Sequence, residues 1–133
     1  MTRVMVDMSC TLIHHGHIRL LQKAARLGNV IVALTTDDEI LLKKGYLPEL
    51  NFEERREILL SVKYVSEVIP SKWLMDDQFI IENKIDILAH GSDNSNEVSE
   101  CELVIFPRTL GISSFDLRRR ASDILTNFGS DGL

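Results

Sequence analysis

Short apolar runs alternate along the chain with stretches whose apolar residues recur every three or four positions. Five of the runs read as strands: "RVMV" (3–6), "VIVAL" (30–34), "SEVIP" (66–70), "IDILAHG" (85–91) and "ELVIFP" (102–107). "VIVAL" is apolar at every position, which fits a strand buried on both faces of a parallel sheet. Between the strands, "GHIRLLQKAARLG" (16–28) puts Ile18, Leu21 and Ala25 on one helical face and offers Gly28 as a C-terminal stop. Asp37 is placed to cap a short helix that ends in Lys43, Lys44 and Gly45, with cations where the helix dipole favours them. Asn51 with Glu54 makes a capping-box-like start for "FEERREILLSVKYV". A further helix is expected around Asp76–Lys84, and Ser114 opens a last one, "FDLRRRASDILTNFG". Strands alternating with helices imply right-handed crossovers, hence an α/β, Rossmann-like fold with a five-stranded parallel sheet flanked by helices. No linker, repeat or low-complexity segment interrupts it, so residues 1–133 read as one domain. In such sheets ligands bind beyond the carboxyl ends of the strands, at a topological switch point.

Composition narrows the function classes. The 133 residues are 44% hydrophobic and 26% charged, an ordinary globular balance. A formal net charge of −5 argues against broad nucleic-acid binding, which needs a basic surface, but leaves room for a small anionic ligand at a local cluster of positive groups. No apolar run approaches a membrane span and the N-terminus lacks a secretion signal's long apolar region, so a cytoplasmic protein is expected. Cys10 and Cys101 form no spaced framework and read as reduced thiols.

Two stretches carry candidate chemistry. "LIHHGHIRLL" (12–21) holds three of the four histidines, directly after the first strand. His14 and His17 are three apart and share a face if the helix begins near His14. Gly16 between them lets a ligand approach the backbone, and the free amides of a helix start attract phosphate. Imidazoles that merely cap the helix would show the same spacing. So would a zinc site with Cys10, although that needs further ligands. The second stretch is "RTLGISS" (108–114), between the fifth strand and the last helix. Arg108 can fork two hydrogen bonds to phosphate, Gly111 permits close backbone approach, and Ser113 and Ser114 bring hydroxyls to a second helix start.

"HHGH" resembles the H-x-G-H signature of the nucleotidyltransferase superfamily, and "RTLGISS" resembles the R-T-x-G-I-S-[ST] signature of its cytidylyltransferase branch. In this order, over nearly the whole chain, the pair points to CTP. The resemblance implies CMP transfer from CTP, with Mg²⁺, to a small phosphorylated alcohol such as glycerol 3-phosphate, or to a phosphonate, releasing pyrophosphate. It assigns His14, His17, Lys44 and Arg108 to catalysis at the nucleotide phosphates. Ser9, Cys10, Gly16, Asp93, Thr109, Gly111, Ile112, Ser113 and Ser114 would bind the nucleotide. Arg55 and Lys63, eight residues apart on one expected helix, would hold the acceptor's phosphate. The family is commonly dimeric, so a homodimer is expected. Where the family writes G-x-F-D before H-x-G-H, this chain has Met8, Ser9, Cys10 and Thr11, and "VDMS" with "LIHHGH" is similar to cytidylyltransferase domains of phosphonate pathways. Two further readings stay open: an ATP-using adenylyltransferase, since "ISS" followed by Arg118 fits the related I-S-S-x-x-x-R pattern, and a nucleotide-binding module that has lost catalysis.

Overall fold

A computed structural model describes residues 1–128. β1 (Arg3–Met8) is followed by α1 (His15–Ala25), β2 (Asn29–Thr35), α2 (Asp37–Lys44), α3 (Phe52–Leu60), β3 (Val65–Ser71), α4 (Asp77–Glu82), β4 (Ile87–Gly91), β5 (Glu102–Phe106) and α5 (Ser114–Phe128). The five strands form one parallel sheet in the order β3-β2-β1-β4-β5. This is the doubly wound arrangement expected from the alternation. The chain leaves β1 toward β2 and β3, then crosses back to β4 and β5, so the switch point lies between β1 and β4.

Strand periodicity divides the core. Val4, Val6, Val30, Val32 and Leu34 pack on one face with Leu21 and Ala24 of α1 and Leu59 of α3. The alternate residues Met5, Ile31 and Ala33 pack on the other face with Met75, Ile80 and Leu88. "VIVAL" is therefore buried on both sides, as its composition requires.

Several ends differ from the sequence reading, for local reasons. Helix α2 is capped by Thr36, whose Oγ1 accepts from the Glu39 amide at 3.4 Å, and not by Asp37. The Asp37 carboxylate is drawn away to the Phe52 amide and to Arg55. Gly45 does close α2, with φ at 80° in the left-handed region. Gly28 closes nothing: α1 ends at Ala25 with Arg26 as C-cap. Glycine is needed there because a Cβ would stand 2.4 Å from the Thr2 carbonyl oxygen. The Asn51–Glu54 capping box forms as expected, each side chain accepting from the other's amide at 2.9 and 3.0 Å.

Candidate active site

A cleft of about 750 Å³ opens along the carboxyl ends of the strands. It is walled by the loop after β1 with the start of α1, the end of α2, the segment around Trp73, the loop after β4, and the turn from β5 into α5. The two stretches singled out in the sequence, residues 12–21 and 108–114, thus face one space. His14, Gly16, His17, Arg108, Thr109, Ile112, Ser113 and Ser114 all line it, as do Ser9, Cys10, Lys44 and Asp93.

The histidine stretch folds as it does because the imidazoles finish the helix. His14 is the N-cap, and its Nδ1 accepts from the Gly16 amide at 3.1 Å. Nδ1 of His17 accepts from the His14 amide at 3.1 Å. Both bonds require an unprotonated Nδ1, which leaves the proton of each neutral ring on Nε2, a donor available to a ligand. The rings lie 3.9 Å apart, centroid to centroid. A Cβ on Gly16 would come within 2.8 Å of the His14 ring, so glycine here makes room for the capping imidazole. The tautomer that caps the helix is also the one that would leave a donor for a ligand.

Burial pushes the His17 pKa down to about 3, helped by the charges of His14 and Arg108. Burial also lowers that of His14, with smaller contributions from His15 and Arg108. His17 therefore stays neutral when folded but takes a proton at its ordinary value of 6.5 when unfolded. Its contribution to stability is complete above pH 6.5 and is lost progressively as pH falls toward about 3. The melting temperature is expected to drop between pH 7 and pH 5, and to drop less in His17→Asn. Equal acid sensitivity in the two proteins would exclude His17 as the source.

At the other helix start, Ser113 Oγ accepts from the Asp116 amide at 3.0 Å and acts as the cap. Ser114 instead pins α5 to the first loop: its Oγ accepts from the Leu12 amide at 3.3 Å and donates to the Leu12 carbonyl at 3.0 Å. Gly111, which the sequence placed among nucleotide contacts, stands outside the cleft lining. Its left-handed φ of 77° makes the turn that brings Ile112 and Ser113 inward. Arg108 is exposed at the cleft wall and free to turn onto a ligand.

The acceptor pair drawn from the sequence is not assembled. α3 ends at Leu60 with Ser61 as C-cap, so Lys63 lies beyond it, exposed, with its Nζ 5.2 Å from the Tyr64 ring centroid. The helix expected over "FEERREILLSVKYV" stops short because Val62 and Tyr64 reach the core from a turn and Val65 opens β3. Arg55 is 1% exposed and stands outside the cleft lining. Its guanidinium donates to the carbonyls of Leu50, Ser9 and Thr35, at 3.1, 2.6 and 2.9 Å, and to Asp37 Oδ1 at 2.6 Å. Those bonds brace the cleft from below and leave little of the fork for a ligand.

The metal alternative also fails on geometry. Cys10 is buried, with its thiol pushed up to about 12, chiefly by desolvation. Among the described residues, no group of three or more His, Cys, Asp or Glu side chains is arranged to hold a metal ion.

His90 and Asn96, both missed by the sequence reading, gather around Asp7 on the cleft floor at the switch point. His90, the fourth histidine, is the last but one residue of β4, with Nδ1 3.0 Å from the Gly91 carbonyl and Nε2 3.3 Å from Asp7 Oδ1. Burial disfavours its charge, but the hydrogen bond and charge of Asp7, the Gly91 carbonyl and Asp93 together hold its pKa above the ordinary value. Asn96 donates to Asp7 Oδ2 at 2.8 Å and fastens the loop after β4. Among the described residues, the buried Asp7 Oδ1 has His90 Nε2 as its donor-side neighbour. A histidine and an aspartate 83 residues apart show no sequence pattern; only the β1–β4 pairing brings them together. Trp73, carrying Lys44 Nζ at 5.3 Å from its ring centroid, and Tyr46 complete the walls.

Residues 11–120 match a family model described as cytidylyltransferase-like. Glycerol-3-phosphate cytidylyltransferase of Bacillus subtilis (strain 168) is 35% identical over 129 residues, spanning 93% of this chain and 100% of that protein. The probable choline-phosphate cytidylyltransferase of Schizosaccharomyces pombe is 33% identical over 132 residues, spanning 89% of this chain and 36% of that protein. Among solved structures, the lipopolysaccharide core biosynthesis protein from Thermoplasma volcanium GSS1 has a similar fold, with a TM-score of 0.70 at 21% identity, covering 81% of this chain and 98% of that one.

Proposed function

Because the chain belongs to the cytidylyltransferase-like family, we propose that it transfers CMP from CTP to a small phosphorylated or phosphonylated alcohol and releases pyrophosphate. The observation that carries this reading is the meeting of two phosphate-suited helix starts, at His14–His17 and Arg108–Ser114, in one cleft. The acceptor's phosphate or phosphonate oxygen attacks the α-phosphorus of CTP. The bond from that phosphorus to the bridging oxygen breaks, and its electron pair leaves with pyrophosphate. The protein supplies alignment and charge neutralisation. Nε2–H of His14 and His17 donates to phosphate oxygens as charge develops. Arg108, Ser113 and the amides opening α5 hold the leaving phosphates. Among the described residues no cluster of carboxylates is built to cage a metal, so Mg²⁺ would be held chiefly by the nucleotide's phosphates and would neutralise charge there, while His14, His17 and Arg108 do the protein's share.

The floor favours an acceptor whose tail carries an amine. Asp93 offers an exposed carboxylate, and the face of Trp73 already hosts an ammonium, that of Lys44. When Lys44 turns onto phosphate, a substrate ammonium can take its place. A homodimer would cover exposed apolar residues such as Leu42, Leu47 and Phe128. Among the described residues no helix is long and apolar enough to cross a membrane.

Pyrophosphate release with each of the four nucleoside triphosphates, against glycerol 3-phosphate, phosphoethanolamine, phosphocholine and 2-aminoethylphosphonate, tests the reading. Turnover is expected with CTP, with the amine-bearing acceptors ahead of glycerol 3-phosphate. Turnover with ATP alone would make the protein an adenylyltransferase, and CTP binding without turnover would leave a nucleotide-binding module. Within the reading, Arg108→Lys keeps the charge but loses the planar fork. KM for CTP is expected to rise about tenfold or more on losing one charge-assisted bond, by roughly 1.5–3 kcal/mol. Wild-type kinetics in that variant would remove Arg108 from the nucleotide site.

A further inference from the structure

Arg118 also lines the cleft, and it is already engaged. Its Nε and Nη2 donate to the two carboxylate oxygens of Glu49, Nη2 also donates to Thr11 Oγ1 at 2.6 Å, and the guanidinium lies 4.9 Å from the Tyr46 ring centroid. The fork that grips this carboxylate has the geometry by which arginine grips phosphate. Glu49 belongs to the segment between α2 and α3, directly after Lys44. That segment is anchored at its far end, where the Leu50 carbonyl accepts from buried Arg55, and begins at left-handed Gly45. Between these points Glu49 ties it to α5, a helix that buries none of its residues. Lys44 meanwhile rests on Trp73, with no ion pair among the described residues.

We propose that Glu49 is an internal competitor for the triphosphate: in the empty enzyme its carboxylate occupies the Arg118 fork, and phosphate oxygens displace it when the nucleotide binds. The exchange frees residues 45–49 and lets Lys44 leave Trp73 for the ligand. The pair suits exchange because both side chains are partly solvated, 26% and 42% exposed, so breaking it strands no buried charge. Glu49 is the weaker anion, one charge against the several of a triphosphate. Its cost is a modest reduction in apparent affinity, on the order of three- to tenfold for a partly exposed ion pair.

The inference rests on the proposed function for the nucleotide, but not for the polyanion. The test measures calorimetric Kd values for CTP and for inorganic tripolyphosphate in wild type, Glu49→Gln, Arg118→Met and the double variant, with tryptic cleavage at Lys43 and Lys44 as a readout of the segment's release. Glu49→Gln is expected to bind both ligands about three- to tenfold more tightly and to be cleaved faster when empty. Arg118→Met is expected to bind more weakly, and the double variant no more tightly than Arg118→Met alone; Arg118→Lys replaces Arg118→Met should the latter fail to fold. Unchanged affinity in Glu49→Gln, or a gain that survives loss of Arg118, overturns the proposal. Should wild type bind tripolyphosphate but no nucleotide, the proposed function fails while the tripolyphosphate series still decides the role of Glu49.

Discussion

His17→Ala is expected to lower kcat by about 10²–10³-fold while CTP binding weakens far less, the usual loss when one preorganised donor at developing charge is removed. The geometry sharpens the expectation. His17 spends Nδ1 on the His14 amide and keeps Nε2–H for the ligand, so alanine removes the donor and the cap together. The lost cap costs about 1 kcal/mol of stability and also loosens His14. His17→Asn separates the two: its short amide can accept from the His14 amide but cannot reach where Nε2 stood. Both variants are therefore expected to lose kcat, with the melting temperature falling mainly in His17→Ala. An asparagine variant with near wild-type kcat would mean that the ring serves the helix and not the reaction.

The sheet was legible because its strands are short, apolar and separated by helical periodicity; both faces of β2 are filled, as "VIVAL" requires. The two helix starts were legible because the features of a helix N-terminus are local. His14 to His17 and Arg108 to Ser114 each lie within seven residues, so the chemistry of a helix N-terminus is written contiguously. What depended on long-range pairing was not visible. Asp7 meets His90 only through the β1–β4 register, and Arg118 meets Glu49 across 69 residues. Lys63 shows the opposite failure, in which a true local pattern was extended one turn too far. Glu54, Arg55 and Leu59 are helical, but Ser61 takes the cap and the next apolar residues are recruited by the core from a turn.

Arg55 shows why a basic residue in a nucleotide-binding fold need not touch a phosphate, and its replacement is expected to be the most damaging to stability. The side chain is 1% exposed and its charge is met by Asp37 at 2.6 Å and by three carbonyls from three different segments. Arg55→Ala would leave the Ser9 and Thr35 carbonyls without this donor and the Asp37 carboxylate with the Phe52 amide but no counter-charge. Each carbonyl left unpaired costs about 1–3 kcal/mol, with a smaller part from the pair with Asp37, which is 30% exposed, against a total stability of roughly 5–15 kcal/mol for a domain. The melting temperature should fall by roughly 10–20 °C, at about 4 °C per kcal/mol for a domain of this size. Arg55→Lys retains the charge but has no planar fork to span carbonyls on both sides, so an intermediate loss is expected. Below its melting temperature the lysine variant should show its kinetic defect in kcat, since Arg55 holds the Ser9 loop from beneath, and no selective rise in KM for the acceptor. A lysine variant of wild-type stability whose acceptor KM alone rises would return Arg55 to the acceptor site that the sequence suggested.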